Sequence, residues 1–244
     1  MPNPKPRRRT PPPSPLAERV IFIDAEALVI DKPAGLPVDP PRDGSLSLEN
    51  HLAGLTFGFA RWPVPVHRLD RDTSGCLLLA RNPKAAGRFT AAFEARQVEK
   101  TYLAVLDGVP EQKEGMIDLP LGKTSTRESG WRMVPDARGK AAVTRWQVLS
   151  VRDGRSLVRF KPETGRTHQL RTHALHGLGI GILGDPVYRA EGGTGWTGGL
   201  VLHARRLILP RHGKAPVDAT APIPAIFAQA GFPDAEALDE APCP

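Results

Sequence analysis

The chain has 244 residues, enough for a full hydrophobic core in one or two domains without disulfides or metal. Its two cysteines, Cys76 and Cys243, exclude a disulfide framework and a four-thiolate zinc site, and no apolar run nears the ~20 residues of a membrane helix. The net charge is +7; the basic start (Lys5, Arg7, Arg8, Arg9) and the acidic end (Asp234, Glu236, Asp239, Glu240) cancel, so residues 16–233 hold the whole excess and point to a polyanionic partner.

Residues 1–16 are rich in proline and arginine and poor in apolar side chains, which predicts a disordered basic arm. The arginines precede no hydrophobic stretch, so no secretory signal is expected, and a cytoplasmic protein is. Runs at 20–23 and 28–30, joined by Asp24-Ala25-Glu26-Ala27, read as a hairpin that Lys32-Pro33-Ala34-Gly35 ends. Leu48, Leu52 and Leu55 recur at helical spacing behind Ser47, a suitable N-cap. A short strand at 64–66 leads into His67, and the apolar run 77–80 suits a buried strand. Asn82-Pro83 caps a helix running to about Gln97. Strands are expected at 101–106, 142–151, 156–160 and 200–209, with one helix at 167–176. The acidic stretch 234–244 reads as a loose tail, leaving a catalytic body over 17–233. Strands dominate without a βαβ rhythm, so the class is α+β.

Two stretches concentrate chemistry. His67-Arg68-Leu69-Asp70-Arg71-Asp72-Thr73-Ser74-Gly75 is a polar loop feeding the buried strand, where a functional group is firmly displayed. Arg68 and Arg71 flank Asp70 and would favour its ionised form. The plain alternative is a polar turn bonded to its own backbone. In Glu163-Thr164-Gly165-Arg166-Thr167-His168-Gln169-Leu170-Arg171, a tight turn meets a helix N-terminus between two arginines. That is a natural phosphate site, or an ordinary turn before a basic helix.

Several chemistries lack their residues. His168, His173 and His176 have no cysteine or carboxylate nearby to complete a metal site, and only the last two share a helix face. Contacts to RNA or to the helix C-terminus explain them better. Neither a GxGxxG nor a GxxxxGK[ST] loop occurs, and Ser74 lacks a GxSxG frame. Cys76 reads as a core residue. Tyr102 falls on the same strand face as Lys100 and Ala104, a position that suits either a core or a cleft.

His67-Arg68-Leu69-Asp70 followed by Thr73-Ser74-Gly75 resembles the signature of the RluA-type RNA pseudouridine synthases. Lys32-Pro33-Ala34-Gly35, Lys100-Thr101-Tyr102, Thr164-Gly165-Arg166-Thr167-His168-Gln169-Leu170-Arg171, Leu183-Gly184-Asp185-Pro186-Val187-Tyr188 and Leu202-His203-Ala204-Arg205-Arg206-Leu207 resemble further family segments in the expected order. The likeness spans about residues 20–228. Two departures stand out: nothing before Val20 could form the small RNA-binding domain of many relatives, and residues 176–182 replace a more usual Gly-His-Pro-Ile stretch.

The resemblance implies an α+β fold with a mixed, mostly antiparallel sheet, flanking helices and a central catalytic cleft. It implies isomerisation of specific uridines in structured RNA, tRNA or large-subunit rRNA, by a monomer needing no cofactor and no metal. Asp70 becomes the essential aspartate, whether the route is attack on the ring, attack on the sugar or a glycal. Arg171 pairs with it, Tyr102 stacks on the flipped base, and Arg68 fills the vacated space or holds phosphate. Arg166, His168 and Lys100 are expected to contact RNA. Two other readings remain at this stage. One is a non-catalytic RNA-binding protein on this fold; the other is a glycosidase using Asp70 with Asp72, which a two-residue spacing in a turn serves poorly.

Overall fold

Continuous apolarity in a strand means cover on both faces, and the run at 77–80 forms the centre of the molecule for that reason. A computed structural model describes residues 14–126, 130–189 and 195–240. In chain order the elements are β1 (Val20–Ile23), β2 (Ala27–Lys32), β3 (Val64–Pro65), β4 (Ser74–Ala80), α1 (Pro83–Glu94) and β5 (Glu99–Leu106). Then come β6 (Glu114–Asp118), β7 (Leu121–Thr126), β8 (Gly130–Pro135), β9 (Val143–Arg152), β10 (Arg155–Pro162) and α2 (Gln169–Leu178). The chain finishes with β11 (Leu202–Arg211), β12 (Lys214–Thr220), α3 (Ile226–Gln229) and α4 (Ala235–Glu240). Every residue of β2 and β4 is buried.

The main sheet runs β1-β2-β4-β11-β5-β10-β9-β6, with β12 beside β11 and β3 beside β4. All pairings are antiparallel except β11 with β4, where His203 faces Ser74 and Ala204 faces Gly75. The expected mixed, mostly antiparallel sheet is present. Gly75 makes that junction possible. Its φ is +105°, and a Cβ there would lie 2.2 Å from the Ala204 carbonyl oxygen. No other residue allows the two backbones to approach so closely. The loop ending at Gly75 is thereby fixed to the middle of the sheet.

One core cluster gathers β2, β4, α1 and the 3-10 helix Leu48–Leu55; a second gathers β5, β10 and α2. Tyr102 packs against both, on the line where they part. A third cluster lies under α3, with Leu103 and Val105 of β5 facing Phe227 and Phe232.

Several expectations need correction. The body begins before residue 17, since Ser14 and Leu16 are already buried; residues 1–13 of the expected arm lie outside the described residues. The end is no loose tail as far as Glu240. Asp239 pairs with Arg159 and Arg205, Glu236 with Arg205, and Asp234 with Arg152, so α4 is drawn onto the sheet by its charges. Residues 241–244 lie outside the described residues. Helix α1 stops at Glu94, and Arg96 turns the chain with φ +57°. Helix α2 starts at Gln169, because His168 takes the left-handed region at φ 51°, ψ 20°. Strands β6, β7, β8 and β12 were not expected from the sequence. Thr, Ser, Gly and Lys dominate β7, and Pro216 interrupts β12, so neither carries clear apolar alternation.

Candidate active site

A cavity of about 430 Å³ opens on the line between the first two clusters, within the usual size of small-molecule sites. The 67–73 loop lines one side, the 162–171 turn and the start of α2 the other, and Lys100 and Tyr102 of β5 the floor between them. Every expected site residue reaches it: Asp70, Tyr102, Arg171, Arg68, Arg166, His168 and Lys100.

The Asp70 loop is held at both ends. Lys32, fully buried, donates from Nζ to the carbonyls of Pro33 (2.8 Å), Leu36 (2.9 Å) and Arg71 (2.9 Å). Gly35 N–H also donates to Arg71 O at 2.9 Å. The Lys-Pro-Ala-Gly segment is therefore a clasp around the Asp70 loop. Burial lowers the Lys32 ammonium to about 8, against the attraction of Asp72, Asp70 and Asp31. His67 anchors the other end. Its Nε2 accepts from Leu78 N–H at 2.9 Å, and its ring stacks on Phe93 of α1 at 4.6 Å.

Burial keeps the His67 imidazole neutral, lowered to about 3, and likewise His203 of β11, lowered to about 4. Both sit below the ordinary 6.5, so the unfolded chain binds more protons as pH falls from 6.5. Stability present above that pH is lost on acidification. Urea unfolding is expected to show a lower midpoint at about pH 5 than at about pH 7.5, before most carboxylates protonate. His203→Gln should flatten that dependence.

The cation that meets Asp70 is not a sequence neighbour. Arg68 pairs with Asp39 at 2.5 Å, and Arg71 Nε donates to Gly35 O at 3.3 Å. Arg171 of α2 takes the place expected of them, its Nη1 at 3.4 Å from Asp70 Oδ2. Arg171 is itself aimed by Asp185, whose Oδ2 accepts from Nε at 2.7 Å and Oδ1 from Nη2 at 2.8 Å. This fork is almost sealed, with side-chain exposures of 7% and 0%. Asp185 Oδ1 also accepts from Val187 and Tyr188 N–H. Two donors of the guanidinium are thus spent on orientation, leaving Nη1 for Asp70.

His168 approaches the same carboxylate oxygen, its Nε2 at 3.9 Å from Asp70 Oδ2. The Tyr188 hydroxyl accepts from Met133 N–H at 2.8 Å and lies 2.9 Å from His168 Nδ1. With that hydroxyl donating to Nδ1, the imidazole carries its proton on Nε2, facing Asp70. Burial lowers the His168 pKa, against the pull of the Asp70 charge. Its left-handed backbone, costly outside glycine, is the kind of strain found at functional positions.

Gln169 sets the turn before it. Its Oε1 accepts from Arg166 N–H (2.9 Å) and Thr164 Oγ1 (2.8 Å), while Nε2 donates to Val143 O and Thr144 Oγ1, both at 3.0 Å. Lys100 Nζ reaches Thr164 O at 3.3 Å, and burial lowers its ammonium to about 8. Burial, with the Asp70 charge, pushes the Tyr102 phenol up, so it stays a protonated hydroxyl. His173 is no RNA or helix-end contact: its two ring nitrogens meet Thr144 Oγ1 and Leu119 O inside the core. Sequence reasoning gave no part to Asp185, Tyr188, Gln169 or the Lys32 clasp. The Leu183-Gly184-Asp185-Pro186-Val187-Tyr188 segment was the one signal that could have found the first two.

Comparison with known proteins gives one answer. Residues 26–176 match the family described as RNA pseudouridylate synthase. An RNA pseudouridine synthase of Zymomonas mobilis is 60% identical over 217 residues, covering 89% of this chain and 99% of that protein. The ribosomal large subunit pseudouridine synthase D of the same organism is 37% identical over 195 residues, 77% of this chain and 60% of its own length. Human RNA pseudouridylate synthase domain containing 4 superposes with a TM-score of 0.74 at 30% identity, covering 88% of this chain and 92% of that one. The sheet, the cleft and the ordered motifs have their explanation in that kinship: the chain belongs to the RluA-type family of RNA pseudouridine synthases, which are isomerases.

Proposed function

We propose that the cleft converts specific uridines in unpaired loops of tRNA or large-subunit rRNA, with Asp70 as its nucleophile. The observation that carries this reading is the Asp70 carboxylate at the cavity wall, met by Arg171 and His168, with Tyr102 lining the same cavity. The reaction breaks the N1–C1′ bond and forms C5–C1′; the proton on C5 leaves and N1 gains one. No electrons are exchanged, so the work is nucleophilic attack, proton movement and retention of the detached base.

Each residue has a share in that work. Asp70 supplies the attacking oxygen, and Arg171 holds it in one orientation while balancing its charge. Tyr102 packs against both core clusters and lines the cavity, where its ring can support a flipped uracil and its neutral hydroxyl can pass a proton. Arg68, Arg96, Lys100 and Arg166 line the cavity and suit the phosphates on either side of the target. The base must leave its stack, which costs a few kcal/mol and less in a loop. The protein is proposed to act as a monomer with no cofactor and no metal, and in the cytoplasm. Among the described residues, no helix is long and apolar enough to cross a membrane.

Incubation of the purified protein with unmodified tRNA and rRNA transcripts tests the reading by nucleoside analysis for pseudouridine. Tyr102 gives a sharper expectation. Tyr102→Phe is expected to lose far more turnover than RNA affinity, because the ring is kept and only the hydroxyl goes. Tyr102→Ala should weaken both, stacking on a base being worth ~1–3 kcal/mol. Equal RNA affinities for the two variants would remove the stacking role.

A further inference from the structure

The hairpin of β7 and β8 is a sheet separate from the main one. Ser125 faces Trp131 and Lys123 faces Met133, so these four residues share one face of the ribbon. Trp131 is 39% exposed, an unusual place for the largest apolar side chain. Lys123 Nζ lies over its ring, 5.6 Å from the centroid. The Trp131 ring and that of His168 pack T-shaped, with centroids 5.0 Å apart and an interplanar angle of 78°. His168 in turn lines the cavity and reaches toward Asp70. The indole therefore stands one imidazole away from the reacting carboxylate, outside the cavity itself.

We propose that Trp131 and Lys123 form a nucleotide subsite for an unpaired base flanking the target uridine in the same RNA strand. The base stacks on the indole, and Lys123 takes the phosphate beside it. An aromatic face paired with a cation is the usual equipment for single-stranded nucleic acid, since every base has a π-face and every linkage a charge. The position explains the reach. Once the uridine is turned into the cavity, its neighbour is left unstacked at the rim, where an exposed indole can replace the lost stacking partner. Edge contact with His168, and the Met133 N–H bond to Tyr188 that steadies the same histidine, fix the platform relative to Asp70. The inference rests on the RNA reading of the cleft, and goes beyond it by placing a second base.

The test is steady-state kinetics on tRNA and large-subunit rRNA transcripts labelled with tritium at uridine C5, following tritium release. Trp131→Ala is expected to raise KM about 5- to 50-fold with kcat within about twofold. Trp131→Phe should keep KM within about threefold of the unaltered protein, and Lys123→Gln should flatten the salt dependence of KM. Should the Ala variant not fold, tryptophan fluorescence decides: adding RNA should quench the unaltered protein more than Trp131→Phe. An unchanged KM in Trp131→Ala overturns the subsite. So does a loss confined to kcat, which would make Trp131 a prop for His168, or equal quenching in the two proteins. Failure of this proposal alone leaves Asp70→Asn inactive and the unaltered protein active; failure of the RNA reading leaves the unaltered protein inactive on every transcript.

Discussion

Asp70→Asn is expected to abolish pseudouridine formation while leaving RNA affinity within a few-fold. The amide keeps the shape of the carboxylate and its place beside Arg171 Nη1 and His168 Nε2. What it loses is the nucleophilic oxygen, and no second carboxylate stands in the same position: Glu94 and Glu163 line other parts of the cavity, and Glu163 is paired with Arg145. Affinity survives because phosphate contacts spread over Arg68, Arg96, Lys100 and Arg166 supply most of it. Single-turnover assays and filter binding on one RNA separate the two quantities. Activity within tenfold of the unaltered protein would take Asp70 out of its role.

The second large effect is expected at a residue that touches no substrate. Asp185→Ala removes both acceptors of the Arg171 fork, leaving a guanidinium buried with only Asp70 to balance it. Breaking such a pair from one side costs ~3–5 kcal/mol. For a chain of this size, that corresponds to a melting temperature about 10 °C lower. Activity should fall as well, since Nη1 is no longer aimed, and the backbone turn at Val187 and Tyr188 loses its acceptor. Asp185→Asn retains part of that turn and should lose less stability. Thermal unfolding alongside turnover checks both, and an unaltered melting temperature would show that Arg171 is held by something else.

The difference between these two aspartates marks what could be read in the chain before its fold was known. Asp70 lies inside a dense local pattern, and much of what fixes its loop is near in sequence: Gly75, the apolar run behind it, and His67. The strands at 101–106 and 156–160 and the buried strand at 77–80 were legible for the same reason, being defined by local apolar patterning. Asp185 acts on a residue of another element, and its environment exists only once α2 and the turn after it have packed. Gln169 and the Lys32 clasp work the same way, through carbonyls and hydroxyls that no side-chain pattern announces. The acidic end misled for a related cause. Uncompensated charge along the chain reads as disorder, yet Arg159 and Arg205, far away in sequence, supply the compensation in space. The β7–β8 hairpin was hidden because polar strands carry almost no periodic signal.

Arg68 shows the opposite error. Adjacency in sequence suggested that it and Arg71 would stabilise Asp70, whereas both side chains turn to other partners at the rim. The stabilising charge comes instead from a helix on the opposite wall. Under the proposed function, that arrangement separates the group that holds Asp70 from the arginines left for RNA.

The central claim is that this cleft makes pseudouridine at defined positions through Asp70. It is tested most directly by mapping pseudouridines across all RNA from cells with the gene intact, deleted, and restored with either the unaltered or the Asp70→Asn protein. The account predicts that deletion removes one site or a small set of sites, in unpaired loops of tRNA or large-subunit rRNA. It predicts that the unaltered protein restores them and that Asp70→Asn does not. Identical maps in all four strains, or full restoration by Asp70→Asn, would contradict it.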